Sequence, residues 1–275
     1  MSDANAVWLN GRIIPAAEAS LSIFDRGFTL GDGVFETLRV KGGRPLWLSD
    51  HIARLREGAG TLGIPVPLDD AALERGLMQL IEARGVAEAS LRLTLSRGPS
   101  QARGLWPPAL PMTPTLLATL SPLPAAARPP LRMIVAQTVR RNEHSPLSRI
   151  KSLNYGDNIL ARREAEGLGA DDALLMNGAG RIVCASAGNI FLRLGDAWIT
   201  PPLVDGILAG TARRRLTRLL DAAERSIDLA DLRNAEAGLI SNSLGLTAIR
   251  EVDGRAWEDA SPLAATLPLF EEEQR

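Results

Sequence analysis

Lysine is nearly missing from this chain. Of its 31 cationic side chains only Lys41 and Lys151 are lysine, and all the others are arginine. Cysteine occurs once, as Cys184, which excludes an intrachain disulfide and a cysteine-based metal cluster. Histidine occurs twice, as His51 and His144, too few to supply a histidine metal site or triad well. There is no apolar run of membrane-span length, and Met1–Asn10 carries no secretory pattern, so no membrane partner and a reducing cytoplasm are expected. A formal charge of −1 disfavours nucleic acid or an anionic membrane as partner, and Arg213-Arg214-Arg215 is only a short basic cluster.

What is present suits a soluble globular chain. At 275 residues and 45% hydrophobic content it can bury a sizeable core in one large or two modest domains. Asn10-Gly11 marks a hairpin over Ala6–Ile14, and Gly33–Val40 alternates as a strand. Leu48, Ile52, Leu55, Ala59 and Leu62 line one face of a helix over Leu48–Leu62, with Ser49 or Asp50 as N-cap and Gly63 as stop. A second helix is predicted over Ala71–Arg84, and strands over Ser90–Ser96 and Pro114–Leu120. Pro122–Pro130 is proline-rich without periodicity and reads as a connection. The expected division is therefore an α/β domain over 1–121, a linker over 122–130 and a second domain over 131–275. In the latter, strands are predicted at Arg132–Val139, Ala173–Met176, Ile182–Ala185, Asn189–Leu194 and Leu239–Ser241. Helices are predicted at Asp157–Glu166, Thr211–Ala223 and Pro262–Glu273.

The two lysines differ in setting. Lys41 lies in a Lys41-Gly42-Gly43 turn, where a charge is ordinary, whereas Lys151 lies in the apolar-flanked Arg149-Ile150-Lys151-Ser152-Leu153-Asn154-Tyr155. A primary amine can lose its proton and attack a carbonyl to form a Schiff base; a guanidinium stays protonated and cannot. A surface lysine left by drift is the other reading. Two further stretches suggest an anion site. Gly206-Ile207-Leu208-Ala209-Gly210-Thr211-Ala212-Arg213 leads into a helix start, where free N–H groups and the dipole favour a phosphate. Ser241-Asn242-Ser243-Leu244-Gly245 is a small polar turn that either offers hydroxyls and amides or merely ends a strand. Arg54 either neutralises such an anion or lies on a solvated helix face.

Taken together these stretches resemble the fold type IV pyridoxal-phosphate enzymes, the class IV aminotransferases. The matching stretches are Gly31-Asp32-Gly33-Val34-Phe35-Glu36-Thr37, His51-Ile52-Ala53-Arg54-Leu55, Ile150-Lys151-Ser152-Leu153-Asn154-Tyr155, Ser186-Ala187-Gly188-Asn189-Ile190-Phe191 and Gly206–Thr211. The resemblance implies an α/β fold with a small N-terminal domain and a larger C-terminal pseudo-barrel domain, like D-amino-acid aminotransferase. It also implies a homodimer and pyridoxal 5'-phosphate as cofactor. Lys151 would form the Schiff base and move the substrate's α-proton. Arg54, Gly210, Thr211, Ala212, Asn242 and Ser243 would hold the cofactor phosphate, and Tyr155 would approach the phenolic oxygen. Phe35, Thr37 and Arg103 would contact substrate.

One position departs from the family pattern. Relatives usually carry glutamate where this chain has Cys184, within Gly180-Arg181-Ile182-Val183-Cys184-Ala185-Ser186. A carboxylate there keeps the pyridine nitrogen protonated and makes the cofactor a strong electron sink, and a thiol serves that purpose poorly. Cys184 is otherwise read as a small buried residue. Ser96-Arg97-Gly98…Arg103-Gly104 and Arg141-Asn142-Glu143-His144-Ser145-Pro146-Leu147 are similar to 4-amino-4-deoxychorismate lyases, which release pyruvate and 4-aminobenzoate in folate synthesis. That lyase is the expected activity. A transaminase of D-amino acids or of branched-chain amino acids is the alternative, and a non-catalytic cofactor-binding relative is a third.

Overall fold

The computed structural model describes residues 5–102, 104–106, 112–123, 129–257, 265–267 and 270. Arg103, residues 124–128 of the expected linker and most of the helix expected over Pro262–Glu273 lie outside them. The chain forms two compact units. One is Met1–Pro124 together with Ile150–Asn154; the other is Ala125–Arg149 together with Tyr155–Arg275. The segment around Lys151, inside the range expected for the second domain, thus groups with the first unit.

The first unit is built on β1 (Ala6–Leu9), β2 (Arg12–Pro15), α1 (Arg26–Leu30), β3 (Gly33–Lys41), β4 (Arg44–Pro45), α2 (Leu48–Leu62), α3 (Asp70–Arg84), β5 (Ala89–Ser96) and β6 (Thr115–Ser121). Its six strands run antiparallel in the order β2-β1-β6-β5-β3-β4. Strand alternation sends Leu38 and Val40 of β3 and Leu91, Leu93 and Leu95 of β5 into one core with Ile52 and Leu55 of α2 and Leu73, Leu77 and Leu80 of α3. The indole of Trp8 lies against Gly76 of α3, where an added Cβ would come within 2.6 Å of the ring. Helix α2 has the expected limits, but its cap is different. Trp47, at φ 53, holds the N-cap position without a side-chain cap, so neither Ser49 nor Asp50 caps the helix, and Asp50 lies in the first turn, where it complements the helix dipole. Gly63 ends α2 at φ 63, as expected.

The second unit contains β7 (Leu131–Arg141), α4 (Gly156–Gly167), β8 (Asp172–Asn177), β9 (Ile182–Ala185), β10 (Gly188–Leu194), β11 (Ala197–Thr200), α5 (Thr211–Leu219), β12 (Ala223–Glu224), α6 (Leu229–Asn234), β13 (Ala237–Asn242), β14 (Gly245–Val252) and β15 (Arg255–Ala256). Strands β10-β13-β14-β7-β8-β9 are bonded in that order, and β9 pairs back onto β10. This closes a six-stranded barrel, the pseudo-barrel expected. Helix α5 stops at Leu219 rather than Ala223 because Asp221 turns at φ 47 and Ala223–Glu224 pairs with Ile199–Thr200 instead. Among the described residues no helix is long and apolar enough to cross a membrane.

Candidate active site

In the first unit the site begins with a polar residue in an apolar row. Glu36 lies opposite Leu93 in the register of β3 with β5, in the row that packs on α2. It is 1% exposed. A carboxylate in that position is costly unless paired and fully bonded. Helix α2 supplies the partners one turn apart, as i and i+3 positions share a face. Arg54 donates from Nε to Glu36 Oε1 at 2.8 Å and from Nη2 to Oε2 at 2.6 Å, and His51 Nδ1 lies 2.6 Å from Oε2. Burial would raise the Glu36 pKa, but the hydrogen bonds from Arg54 and His51 outweigh it and hold the group down at about 2. Burial, helped by the Arg54 and Lys151 charges, pushes His51 below its ordinary value despite Glu36. The imidazole is then neutral at pH 7 and donates its Nδ1–H to an ionised carboxylate, which can only accept.

Lys151 is mounted on the same strand by its backbone. Phe35 N–H donates to the Lys151 carbonyl and Leu153 N–H to the Gly33 carbonyl, each at 2.9 Å, with Val34 opposite Ser152. These residues extend β3 on the edge that β4 occupies further along, at Val40–Lys41. Ile150 enters the core beside them. The Lys151 ammonium sits 4.3 Å from the centroid of the Phe35 ring, and the Arg92 guanidinium 3.7 Å from the same centroid. Both are favourable cation–π distances. Arg92 is exposed and pairs across the strands with Thr37. Phe35, Thr37, Arg92 and Thr94 therefore share a face, and Glu36 points to the other.

In the second unit Cys184, Gly210 and Asn242 lie around the start of β10. Cys184 of β9 is paired with Asn189, which also faces Ser241 of β13. Asn189 donates from Nδ2 to the Leu208 carbonyl at 3.0 Å. Its Oδ1 would lie 2.2 Å from a Cβ at residue 210, so only glycine fits that position. Gly210 is the N-cap of α5 and offers no side-chain cap, and the first turn, Thr211 and Ala212, is buried. The hydroxyl of Ser241, 1% exposed, has no hydrogen-bond partner among the described residues. Asn242 is committed to the hairpin: its Oδ1 accepts from Leu244 N–H at 2.9 Å and its Nδ2 donates to the Ala187 carbonyl at 3.2 Å, leaving Ser243 in the turn. Tyr155 stands at the head of α4. Cys184 is 8% exposed among Ile134, Ala173, Leu175, Val183 and Ile207. Burial pushes its thiol up, with Arg141 pulling weakly the other way, so it is protonated at neutral pH.

Residues 33–252 match the family of class IV amino-transferases. The chain belongs to this family. A putative branched-chain-amino-acid aminotransferase of Methanocaldococcus jannaschii is 30% identical over 256 residues, 90% of this chain and 88% of that protein. A D-alanine aminotransferase of Bacillus licheniformis is 26% identical over 262 residues, 93% and 91% of the two chains. Among solved structures, the 4-amino-4-deoxychorismate lyase from Pseudomonas aeruginosa superposes with a TM-score of 0.81 at 32% identity, covering 95% of this chain and 96% of that one. The cofactor of a class IV amino-transferase is pyridoxal phosphate, and each unit by itself carries groups that suit it: an amine on Lys151 and a fixed guanidinium on Arg54 in the first, and in the second a helix start at Gly210 with no side-chain cap.

Sequence reasoning missed Glu36 and Arg92 and gave His51 no role. The signal for Glu36 was present: one carboxylate interrupts the row Val34, Leu38, Val40, and the facing helix carries histidine and arginine three residues apart.

Proposed function

We propose that this enzyme is a 4-amino-4-deoxychorismate lyase, releasing pyruvate and 4-aminobenzoate. The observation that carries the reading is the grouping of Lys151 and Arg92 about the Phe35 ring. It sets a reactive amine, an aromatic surface and an exposed guanidinium on one face of β3 and β5. That combination suits a flat ring bearing carboxylates, since arginine's planar fork matches a carboxylate. The Pseudomonas aeruginosa lyase is also the most identical of the relatives described above.

When bound, pyridoxal phosphate draws electrons from the carbon attached to the substrate nitrogen. The remaining work is done by the chain's own groups. Lys151 would hold the cofactor through its Nζ and would move a proton to or from the substrate carbon. Phe35 sets its ring face beside the amine, 4.3 Å from Nζ. In the first unit Arg54 would bind the phosphate and Arg92 would orient a substrate carboxylate. In the second, the N–H groups of Thr211 and Ala212 would offer phosphate donors at a helix start that Asn189 and Gly210 keep open, and Tyr155 would serve the cofactor's phenolic oxygen. Cys184, apolar in its surroundings and uncharged, supplies no charge to keep a proton on the ring nitrogen. A weakened electron sink is tolerable in a reaction whose product becomes aromatic, because aromatisation adds driving force that amino-group exchange lacks.

The deciding measurement is 4-aminobenzoate formation from aminodeoxychorismate by the cofactor-loaded enzyme, with Lys151→Ala as control. Lysine-dependent product is expected. Absence of product from folded, loaded enzyme rejects the reading. The second reading, transamination of D-amino or branched-chain amino acids, draws on the 30% identity to the Methanocaldococcus protein over 90% of this chain. Conversion of the bound cofactor to its amine form on adding an amino-acid donor separates the two. We further propose a cytoplasmic homodimer. Ile23, Phe24 and Phe28 around α1, with Leu105 and Trp106 tied to Arg26 through the Leu105 carbonyl, expose apolar surface of the kind that marks an interface.

A further inference from the structure

We propose that Glu36 is the positioning residue for the phosphate end of the cofactor site: it locks Arg54 in one orientation and ties it to the strand that carries Lys151. The inference rests on the reading of Arg54 as a phosphate holder. Left alone, an arginine on a helix samples many rotamers, and ordering it on binding costs affinity. Here the Nε and Nη2 edge of Arg54 is already taken by both oxygens of Glu36, at 2.8 and 2.6 Å. The guanidinium plane is therefore fixed before any anion arrives. His51 Nδ1, 2.6 Å from the same Oε2, fixes the carboxylate in turn. All three groups are at least partly enclosed in the core of the first unit, with Glu36 and His51 each 1% exposed.

The position of Glu36 within β3 gives this lock a second role. Its neighbour Phe35 donates its N–H to the Lys151 carbonyl at 2.9 Å. Two adjacent residues of one strand thus hold the two groups, Glu36 through its side chain on one face and Phe35 through its backbone at the edge. The phosphate-holding cation and the reactive amine are set relative to each other by a single peptide unit.

The test compares pyridoxal phosphate with pyridoxal, which has the aldehyde but no phosphate, by titrating each into apo-enzyme and following the absorbance of the lysine-bound form. Glu36→Gln should weaken pyridoxal phosphate by about 10- to 100-fold, the usual effect of removing an orienting partner. Pyridoxal binding should be unchanged, and inorganic phosphate should compete less well than in the parent. Adding Glu36→Gln to Arg54→Gln should cost nothing beyond Arg54→Gln alone, since the two act through one contact. Glu36→Asp, which keeps the charge but withdraws it by one methylene, should show the same selective loss to a smaller degree and serves where the glutamine variant does not fold. Equal weakening of both probes by either variant, or an additive double variant, overturns the proposal and leaves Glu36 a fold residue. If Arg54→Gln itself loses no selectivity for the phosphate, the reading of Arg54 fails and the proposal with it.

Discussion

Phe35 holds Lys151 twice: its N–H donates to the Lys151 carbonyl at 2.9 Å, and its ring lies 4.3 Å from Lys151 Nζ. The backbone bond does not depend on the side chain at 151. Lys151→Arg should therefore fold with an unchanged melting temperature, yet lose turnover and the absorbance of the lysine-bound cofactor entirely. Retained turnover would place the reactive amine elsewhere.

Arg92 is exposed and touches the Phe35 face without joining the core. Arg92→Gln should raise KM about tenfold or more, as expected for losing a charge-assisted hydrogen bond worth about 1.5–3 kcal/mol. The melting point should hardly change. Steady-state kinetics on aminodeoxychorismate decide it, and an unchanged KM would remove Arg92 from the site.

Acid should destabilise the first unit in two stages. His51 has a lowered folded pKa, so below its ordinary 6.5 the unfolded chain takes up a proton that the folded chain refuses. Glu36 titrates near 2 when folded against 4.5 ordinarily, so its contribution is complete above about 4.5 and fades as pH falls toward 2. Melting temperature measured from pH 7.5 to 3 should fall throughout this range, and His51→Asn should flatten the upper part. A curve for the parent that rises on acidification would contradict both signs. Glu36→Gln, which takes the Glu36 charge away from the partly buried Arg54, should cost about 3 kcal/mol.

Gly76 admits Trp8 at a distance no side chain allows. Gly76→Ala improves helix propensity, but the overpacking should dominate and cost about 1–3 kcal/mol. Chemical denaturation of the apo-enzyme measures it, and a stabilised variant would show that the indole moves freely.

Cys184→Glu places a carboxylate where the family usually has one. Amino-group exchange with D- or L-donors should rise in the variant, at some loss of stability because Ile134, Leu175 and Ile207 offer it no partner. If exchange stays flat, the electron-sink account of Cys184 is wrong.

Periodicity showed most of the framework. The stripe from Leu48 to Leu62 gave α2 its limits because a helix packed along one face must repeat at 3.6 residues. Strand β14 escaped notice because Leu246–Ile249 is buried on both faces and shows no alternation. Lys151 stood out by its scarcity, but its attachment to β3 did not. Three paired residues leave no local pattern, and their partners lie more than a hundred positions earlier. Glu36 lay within a quoted motif. Its role depends on which face of β3 turns inward, and that is decided by packing on α2.

The short stretch Ile150–Asn154 has a consequence for how such a protein can be divided. Because it folds with Met1–Pro124 while the chain on either side of it folds elsewhere, neither half can be made as a self-sufficient module. A fragment ending near residue 123 would leave the Gly33–Phe35 edge of β3 bare and would lack the amine. A fragment beginning near residue 129 would carry the amine with no strand to hold it. Recombination with a relative would therefore need three crossover points to carry this lysine with the unit in which it folds.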